Sequence, residues 1–298
     1  MNAAEARPPA EADRPVPALG PWERRYLMVV AAFTLYVAFW GLLFPAGLGV
    51  DLPGVAKDFN HALPFNLVIP PLHARFIGSL YLGASVFLLL ALRRDQTWRE
   101  QRIGVWMVLV WTGMLELVSL LHLEIFDWGR QPARPLVAWW LAYTWFPLQA
   151  AWILWRRGER PLTAAVLVDG GLGRSSRRSL TVLGGVLVAL GCVLFLAPAT
   201  AAALWPWKLP PILGQIYSGP FMALGWGALL AARTASARDR AGYLWAAVVF
   251  ALAALAASTR HRDLFDFHRV GPWIWFGGLL LAAAFLLTAA LAVRRSPR

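Results

Sequence analysis

Cysteine and charge are scarce in this sequence, and each shortage excludes a class of protein. Its 298 residues include one cysteine, Cys192, which excludes an intramolecular disulfide, a thiol relay and a zinc site made of cysteines. Charged residues make up 15% of the chain, against about 25% in an ordinary soluble domain. Because 59% of the residues are hydrophobic, the chain is not a soluble globule, a disordered tail, a coiled coil or a collagen. The composition predicts a polytopic membrane protein.

Lysine is also rare, and nearly all of the basic residues are arginines. The formal net charge is +12, and Lys57 and Lys208 are the only lysines. A basic soluble protein would suggest nucleic acid as a partner. Here the arginines lie in short stretches between apolar runs, so we expect them to set the membrane topology and to contact anionic lipid headgroups. The expected partners are membrane lipids and other membrane proteins, with no nucleic acid.

Eight apolar runs are candidates to cross a bilayer, which takes about 20 apolar residues per helix. The runs are continuous and not alternating, which predicts helices and not a barrel. Residues 1–24 lack an apolar stretch and are expected to form a disordered cytoplasmic tail instead of a cleaved signal peptide. The predicted spans are 26–48, 76–92, 104–125, 136–155, 180–199, 213–232, 241–258 and 272–293.

Basic residues are divided unevenly between the two sides that eight spans define. Twenty of the 28 Lys and Arg residues fall on the side that holds both chain ends. Because cytoplasmic loops carry the excess of Lys and Arg, both termini are predicted to be cytoplasmic. The expected location is the plasma (inner) membrane of a bacterium.

Two segments that begin 139 residues apart share a pattern of polar and aromatic residues. LHLEIFDWGR at 121–130 and RHRDLFDFHR at 260–269 both fit H-x-[DE]-x-F-D-[WF]-x-R. A Pro-Pro pair also precedes the second span of each half, followed by Arg75 in one half and Gln215 in the other. We interpret the chain as a duplicated four-helix unit, 25–157 and 180–295, joined by a cytoplasmic linker at 158–179. Four spans per unit make the two repeats parallel.

The four-helix unit has further recognisable features. Its first span ends in Phe-Pro, a long outer loop leads to an Arg-Phe-Ile-Gly segment, the third span carries a histidine, and the fourth contains Trp and Pro. The residues concerned are Phe44, Pro45, Arg75, Gly78, Gly83, His122, Trp139, Trp140, Trp145 and Pro147. Each half thereby resembles the DoxX-like bacterial four-helix membrane proteins, here in tandem. The resemblance implies a helical membrane bundle and supplies no catalytic residue.

The repeated polar segment supplies the candidate site. Residues four apart share a helical face, so His122 is expected beside Phe126 and His261 beside Phe265. Two clusters that meet across the repeat axis could hold a divalent metal or titrate near neutral pH. The first alternative is a network that caps the helix ends and fixes the loops; the second is haem, which paired histidines on bundle helices can ligate. We predict no resident cofactor. The cluster residues are His122, Glu124, Asp127, His261, Asp263 and Asp266.

Two further ionisable residues are candidates because of their position. Glu116 is the only acidic residue well inside a predicted span, where a charge costs about 2.5–3.5 kcal/mol. It is expected either to bond to a Tyr, Ser or Thr of a neighbouring helix or to carry a proton or substrate. Arg75 begins the second span, and it is either an anchor paired with Asp127 or Glu124 or a clamp for an anionic headgroup or substrate.

Three classes of function follow from these features. The first is an accessory or interaction protein of the membrane that is not an enzyme. The second is a carrier or channel for a small solute, lipid or proton, which would use the cleft between the repeats. The third is a metal- or haem-dependent redox protein. A dry bundle favours the first class, whereas a water-filled cavity that reaches Glu116 favours the second.

Overall fold

The computed structural model describes residues 19–46, 58–93, 98–129, 131–158, 174–234 and 237–295. These residues form helices joined by turns, which confirms the all-α prediction. Most of the predicted tail, most of the predicted linker and Arg130 lie outside the described residues. Helices begin at Pro21 and at Arg174, so the last residues of both predicted segments are helical.

The described ranges contain ten α-helices, eight of them long. Each predicted span falls on one long helix, although several boundaries shift by a turn or more. A short 3-10 turn follows α4 at Leu123–Ile125, and another follows α9 at Arg262–Leu264. The helices are α1 (Pro21–Leu43), α2 (Phe59–Ala62), α3 (Pro71–Ala91), α4 (Trp98–Leu121), α5 (Arg134–Arg157), α6 (Arg174–Leu196), α7 (Pro198–Leu204), α8 (Pro211–Arg233), α9 (Ala237–Arg260) and α10 (Val270–Arg295).

Proline sets the start of three long helices. Pro21, Pro71 and Pro211 occupy the first helical turn, where the missing backbone N–H would have no partner within the helix. In α3 and α8 the preceding proline is the extended N-cap residue. The two Pro-Pro pairs of the sequence are therefore helix-start signals, which explains why α3 begins earlier than its predicted span.

Six of the eight long helices in the described ranges are both long and apolar enough to cross a membrane: α1, α3, α4, α6, α9 and α10. The sequence predicts eight. The other two, α5 and α8, have 24 and 23 residues. Their Trp, Tyr, Pro, Gln and Gly residues lower the mean hydropathy without shortening the helix.

The long helices pack into two rows. The first row contains α1, α3, α9 and α10 in that order, and the second contains α5, α4, α8 and α6. Although α3 and α4 are consecutive in the chain, they lie in different rows and contact each other little. Each row therefore takes two neighbouring helices from each half of the chain, so the halves lie side by side and meet where α3 packs on α9 and α4 on α8.

Neighbouring helices within a row run antiparallel. In the first row, Arg75 near the start of α3 contacts His261 just after the end of α9. Further along α3, Gly83 lies against Ala246, in the first half of α9. The same alternation along α1, α3, α9 and α10 brings the start of α1 and the end of α10 to one end of the rows.

Small residues allow close backbone contact within each row. A Cβ on Gly41 of α1 would lie 2.6 Å from the carbonyl oxygen of Ala74 in α3. In the second row, a Cβ on Gly225 of α8 would lie 2.7 Å from the carbonyl oxygen of Gly184 in α6. Lipid tails are as apolar as leucine side chains, so packing of this kind drives helix association in membranes.

Large aromatic side chains fill the space between the two rows. Tyr81 of α3 packs edge-on against Trp111 of α4, with ring centroids 5.0 Å apart. Phe76 of α3 and Tyr217 of α8 make a similar contact, also at 5.0 Å. Edge-on pairs of this kind contribute about 0.5–1.5 kcal/mol beyond the area that they bury. Small residues thus join helices within a row, whereas aromatic residues join the rows.

Candidate polar site at the histidine end of the rows

Two matching turns carry the histidines predicted from the sequence. His122 follows α4, and its backbone N–H donates to the carbonyl of Ser119 at 3.3 Å. His261 follows α9, and its N–H donates to the carbonyl of Ser258 at 3.2 Å. Both turns lie at the same end of the rows, which we call the histidine end.

The expected sharing of a helical face by each histidine and the phenylalanine four residues later is wrong. α4 ends at Leu121 and α9 at Arg260, before the histidine in each case. The chain then enters a 3-10 turn, which tightens the helix end and changes the direction of the following side chains.

In the first row, Arg75 of α3 reaches the histidine that follows α9. Its Nη1 atom lies 2.6 Å from Nε2 of His261. A guanidinium only donates hydrogen bonds, so Nε2 accepts and the ring carries its proton on Nδ1. Burial, reinforced by the positive charge of Arg75, lowers the pKa of His261. The imidazole is therefore neutral at neutral pH.

In the second row, Gln215 of α8 takes the place that Arg75 has in the first. Its Oε1 lies 2.7 Å from Nε2 of His122, and its amide nitrogen donates to the carbonyl of Phe195 at 3.2 Å. Nδ1 of His122 lies 3.1 Å from the carboxylate of Glu124. Both ring nitrogens therefore face acceptor atoms, the amide oxygen of Gln215 and the carboxylate of Glu124. The backbone N–H of Glu124 itself, and then His122, lower the pKa of that exposed carboxyl.

The predicted pairing of Arg75 with Asp127 or Glu124 is wrong. Because α3 packs along α9 and only weakly against α4, the guanidinium meets His261 and not the turn after α4. Asp127 is held by a backbone bond instead: the N–H of Asp127 donates to the carbonyl of Pro64 at 3.0 Å.

The acidic residues of the two turns do not form one cluster with the histidines. Asp266 accepts a hydrogen bond from the backbone N–H of His268 at 3.1 Å, and Asp263 acts on His261 through its charge. Over the residues that the structure describes, no group of three His, Cys, Asp or Glu is placed to hold a metal ion. His122 and His261 bond to different helices in different rows. Each histidine thus takes part in a hydrogen-bond network at the helix ends.

Glu116 bonds to a threonine of the neighbouring helix, one of the two alternatives drawn from the sequence. The hydroxyl of Thr144 in α5 donates to Oε1 of Glu116 at 3.0 Å. The other carboxyl oxygen is buried and has no hydrogen-bond partner among the described residues.

His73 precedes the predicted span 76–92 and so falls in the predicted outer loop, but the structure makes it a buried polar residue of α3. It lies in the first turn of α3 and is 3% exposed. Its Nε2–H donates to the carbonyl of Lys208 at 3.0 Å, and its Nδ1 accepts from the hydroxyl of Tyr217 at 2.7 Å. The Pro-Pro pair just before it was the signal that could have placed it on a helix. His73 thus joins α3 to α8, a third polar contact between the halves at the histidine end.

Two small apolar cavities lie between the rows, one lined by the first half of the chain alone and the other also by Ile216, Tyr217 and Pro220 of α8. Both are lined by Tyr81, Trp111 and Tyr143, and neither is lined by Glu116. The space open to the centre of a water molecule is about 30 Å³ in one and about 40 Å³ in the other. A single water needs about 10–15 Å³ by this measure, so each cavity has room for only a few.

No protein-family model matches this chain, and no curated protein or solved structure matches it either.

Proposed function

We propose that the protein is an eight-span membrane protein made of two parallel four-helix repeats, 25–157 and 180–295. The 3-10 turns that follow α4 and α9 lie 139 residues apart, and Arg75 and Gln215, which bond to the two histidines, lie 140 apart. Each of the two bonds joins one half to the other. Such reciprocal contacts are what a two-fold relation between duplicated halves produces.

A size exchange between matching positions supports the duplication. Phe87 of α3 covers Gly104 of α4, where a Cβ would lie 2.0 Å from the ring. At the corresponding positions of the second half, Gly227 of α8 is covered by Tyr243 of α9, and a Cβ would lie 2.7 Å from that ring. The ring is on the second long helix of the first half and on the third long helix of the second half, and in both halves it covers a glycine of the other helix. Two copies of one contact can diverge in this way because the total volume is conserved.

We place both termini in the cytoplasm of a bacterial plasma membrane, with α5 and α8 crossing as well. The arginine excess supports this orientation. A helix of 23 residues is about 35 Å long and can cross about 30 Å of hydrocarbon. α8 packs along α4 and α6, and α5 packs along α4, so both lie beside helices that are apolar enough to cross.

Cysteine labelling tests this topology. Arg174→Cys in a Cys192→Ala background should react with an impermeant maleimide only after the membrane is opened. His268→Cys in the same background is the control and should react in intact cells. Labelling of position 174 from outside, or protection of position 268, would contradict the orientation.

We infer that the protein is an accessory or interaction protein of that membrane, without catalytic chemistry of its own. The observation that carries this inference is the use of both predicted histidines, and of His73, in contacts between the halves. A general acid or base must lie within hydrogen-bond reach of a substrate. At the histidine end these rings instead hold helices together.

The outer helices offer surface for such interactions. Only 22% of the apolar segment of α6 is buried, against 67% of that of α3. A Cβ on Gly185 of α6, or on Gly277 of α10, would meet nothing within 4 Å. Small residues that face lipid allow another spanning helix to approach closely.

Site-specific crosslinking tests the accessory role. A photoreactive residue at Val186, which is 58% exposed on α6, should form a discrete protein adduct in native membranes. Gly185→Leu should abolish that adduct, because the bulky side chain keeps a second helix away. The fully buried Leu194 is the matched control position on the same helix. Adducts with lipid alone at Val186, or adducts that do not respond to Gly185→Leu, would argue against the role.

A carrier is the second candidate, because the two cavities leave unfilled space between the rows, although neither of them reaches Glu116. Thr112 lines one of them and is buried. If solute passes there, Thr112→Cys in the Cys192→Ala background should react with a small water-soluble thiol reagent. A dry bundle leaves this position unreactive while His268→Cys is labelled, and that result would exclude the carrier.

A further inference from the structure

Positive charge is concentrated on one of the two matching histidine turns. Arg75 and Arg260 lie close enough for their charges to repel, and Arg260 is next to His261 in the chain. Arg262 follows within the same 3-10 turn. Neither Arg75 nor Arg260 forms a salt bridge with a carboxylate of the described residues.

The hydrogen-bonding groups of this turn are almost all donors. Arg75 uses Nη1 for His261 and has further guanidinium N–H groups. The ring of His261 accepts at Nε2, so its Nδ1–H is a donor. Arg260 is exposed and adds a second guanidinium. Asp263 is the carboxylate of this turn and acts on His261 through its charge, yet among the described residues it forms no salt bridge with either arginine. The two like charges and the extra N–H therefore favour a further acceptor with negative charge.

The matching turn of the other half lacks these charges. Gln215 stands where Arg75 stands in the first row, and Leu121 and Leu123 stand where Arg260 and Arg262 do. The glutamine there is fully used, since it accepts from His122 and donates to the carbonyl of Phe195. The second turn can hold its helices together without arginine, so the fold alone does not explain the arginines of the first.

We propose that Arg75, Arg260 and the Nδ1–H of His261 form a binding site for a phosphate group. Guanidinium groups match the oxygens of phosphate with paired, charge-assisted hydrogen bonds. The site lies at the end of the apolar segment Arg240–Arg260, at the depth where lipid headgroups begin. The phosphate is that of an anionic lipid headgroup or a free phosphate ion.

The binding test uses the purified full chain. In one arm it is reconstituted in phosphatidylcholine nanodiscs with and without phosphatidylglycerol, and lipid retention is measured by native mass spectrometry. In the other, the shift in Tm caused by inorganic phosphate is compared with that caused by chloride at equal ionic strength. Binding in the first arm alone identifies a headgroup site, and binding in the second alone identifies a site for the free ion. Absence of binding in both overturns the proposal.

Matched variants test the site itself. Arg75→Gln copies the residue found in the other half and should weaken binding by at least about tenfold, the effect of losing a hydrogen bond to a charged group. Arg156→Gln removes one charge at the opposite end of the rows, where Arg156 lies over the ring of Trp152, and should leave binding unchanged. Equal losses of binding in the two variants would mean that net charge, and not this site, determines phosphate binding, and that result would overturn the proposal.

Two more variants test the site even if Arg75→Gln does not fold. If Arg75→Gln does not fold, Arg260→Gln, at an exposed position, should show the same loss without a change in Tm. Gln215→Arg with Leu121→Arg transfers the charges to the second turn and should raise phosphate binding there. Unchanged binding in Arg260→Gln overturns the proposal, and none of these results depends on the accessory role.

Discussion

Arg75 donates a hydrogen bond to His261, a residue 186 positions further along the chain. The corresponding bond in the other half joins His122 to Gln215. Both bonds cross from one half of the chain to the other, because the second helix of each half packs on the third helix of the opposite half. The two histidines are thus matched in position but differ in charge environment.

His261→Ala should destabilise the protein by about 1 kcal/mol, the typical value of one hydrogen bond. The variant leaves Arg75 without its acceptor and loosens the contact between α3 and α9. Thermal unfolding followed by tryptophan fluorescence in detergent measures the change. His268→Ala, at an exposed position of the same loop, is the control and should be neutral. Equal stability of His261→Ala and the native chain would mean that the bond contributes nothing.

Stability should fall as the pH is lowered through the range where a free histidine titrates, about 6.5. The pKa of His261 is lowered in the fold, so the unfolded chain takes up the proton first and is favoured as the pH falls. The contribution is complete above the unfolded pKa and is lost as the pH approaches the folded one. Unfolding of His261→Asn, which cannot titrate there, should depend less on pH between about 7.5 and 5.5, one unit above and one unit below the pKa of a free histidine. Identical pH profiles would show that His261 does not titrate on unfolding.

Gly41→Ala should destabilise the packing of α1 on α3 by about 1–3 kcal/mol. The new Cβ would lie 2.6 Å from the carbonyl oxygen of Ala74 and 2.9 Å from the Cα of Gly78, and backbone atoms cannot move aside cheaply. Gly185→Ala is the matched control, because nothing lies within 4 Å of its Cβ. Unfolding in mixed micelles with increasing SDS compares the two. If both changes are neutral, close contact between α1 and α3 is not important.

Gly104→Ala should be destabilising, and Phe87→Ala should rescue it. The added Cβ would lie 2.0 Å from Cε1 of Phe87, so the ring must leave its place. Shortening the ring makes room for the methyl group, and a double-mutant cycle should show favourable coupling of about 0.5–3 kcal/mol. Additive effects in that cycle would mean that Phe87 and Gly104 do not share one packing site.

Most of the local features could be predicted from the sequence because they depend on neighbours in the chain. The eight long helices follow from continuous apolar runs, and the matched positions of His122 and His261 near the ends of α4 and α9 follow from a pattern repeated at one spacing. The 3-10 turns that carry them were not part of that prediction. The hydrogen bond from Thr144 to Glu116 matches the expectation that a carboxyl in a span finds a hydroxyl on a nearby helix. Each of these needs only periodicity, length or the cost of burying a polar group.

The partners of Arg75 and His73 could not be predicted in this way. The sequence predicts acidic partners for Arg75 within its own half and places His73 before the second span. Their true partners, His261 and Tyr217, lie on the other half of the chain. Which partner each residue meets depends on which helices are neighbours, and no local sequence pattern predicts that.

The sequence by itself determined that this chain forms long apolar helices and that one histidine pattern recurs near the ends of α4 and α9. Only the tertiary structure decided that the halves meet side by side in two rows, so that each histidine bonds to the opposite half. The physical reason is that each helix is stabilised by hydrogen bonds within its own segment, because lipid offers no partner to backbone N–H and C=O groups. Helix pairing depends instead on the fit between surfaces, where glycines such as Gly83 and aromatic rings such as Trp111 meet residues far away in the chain.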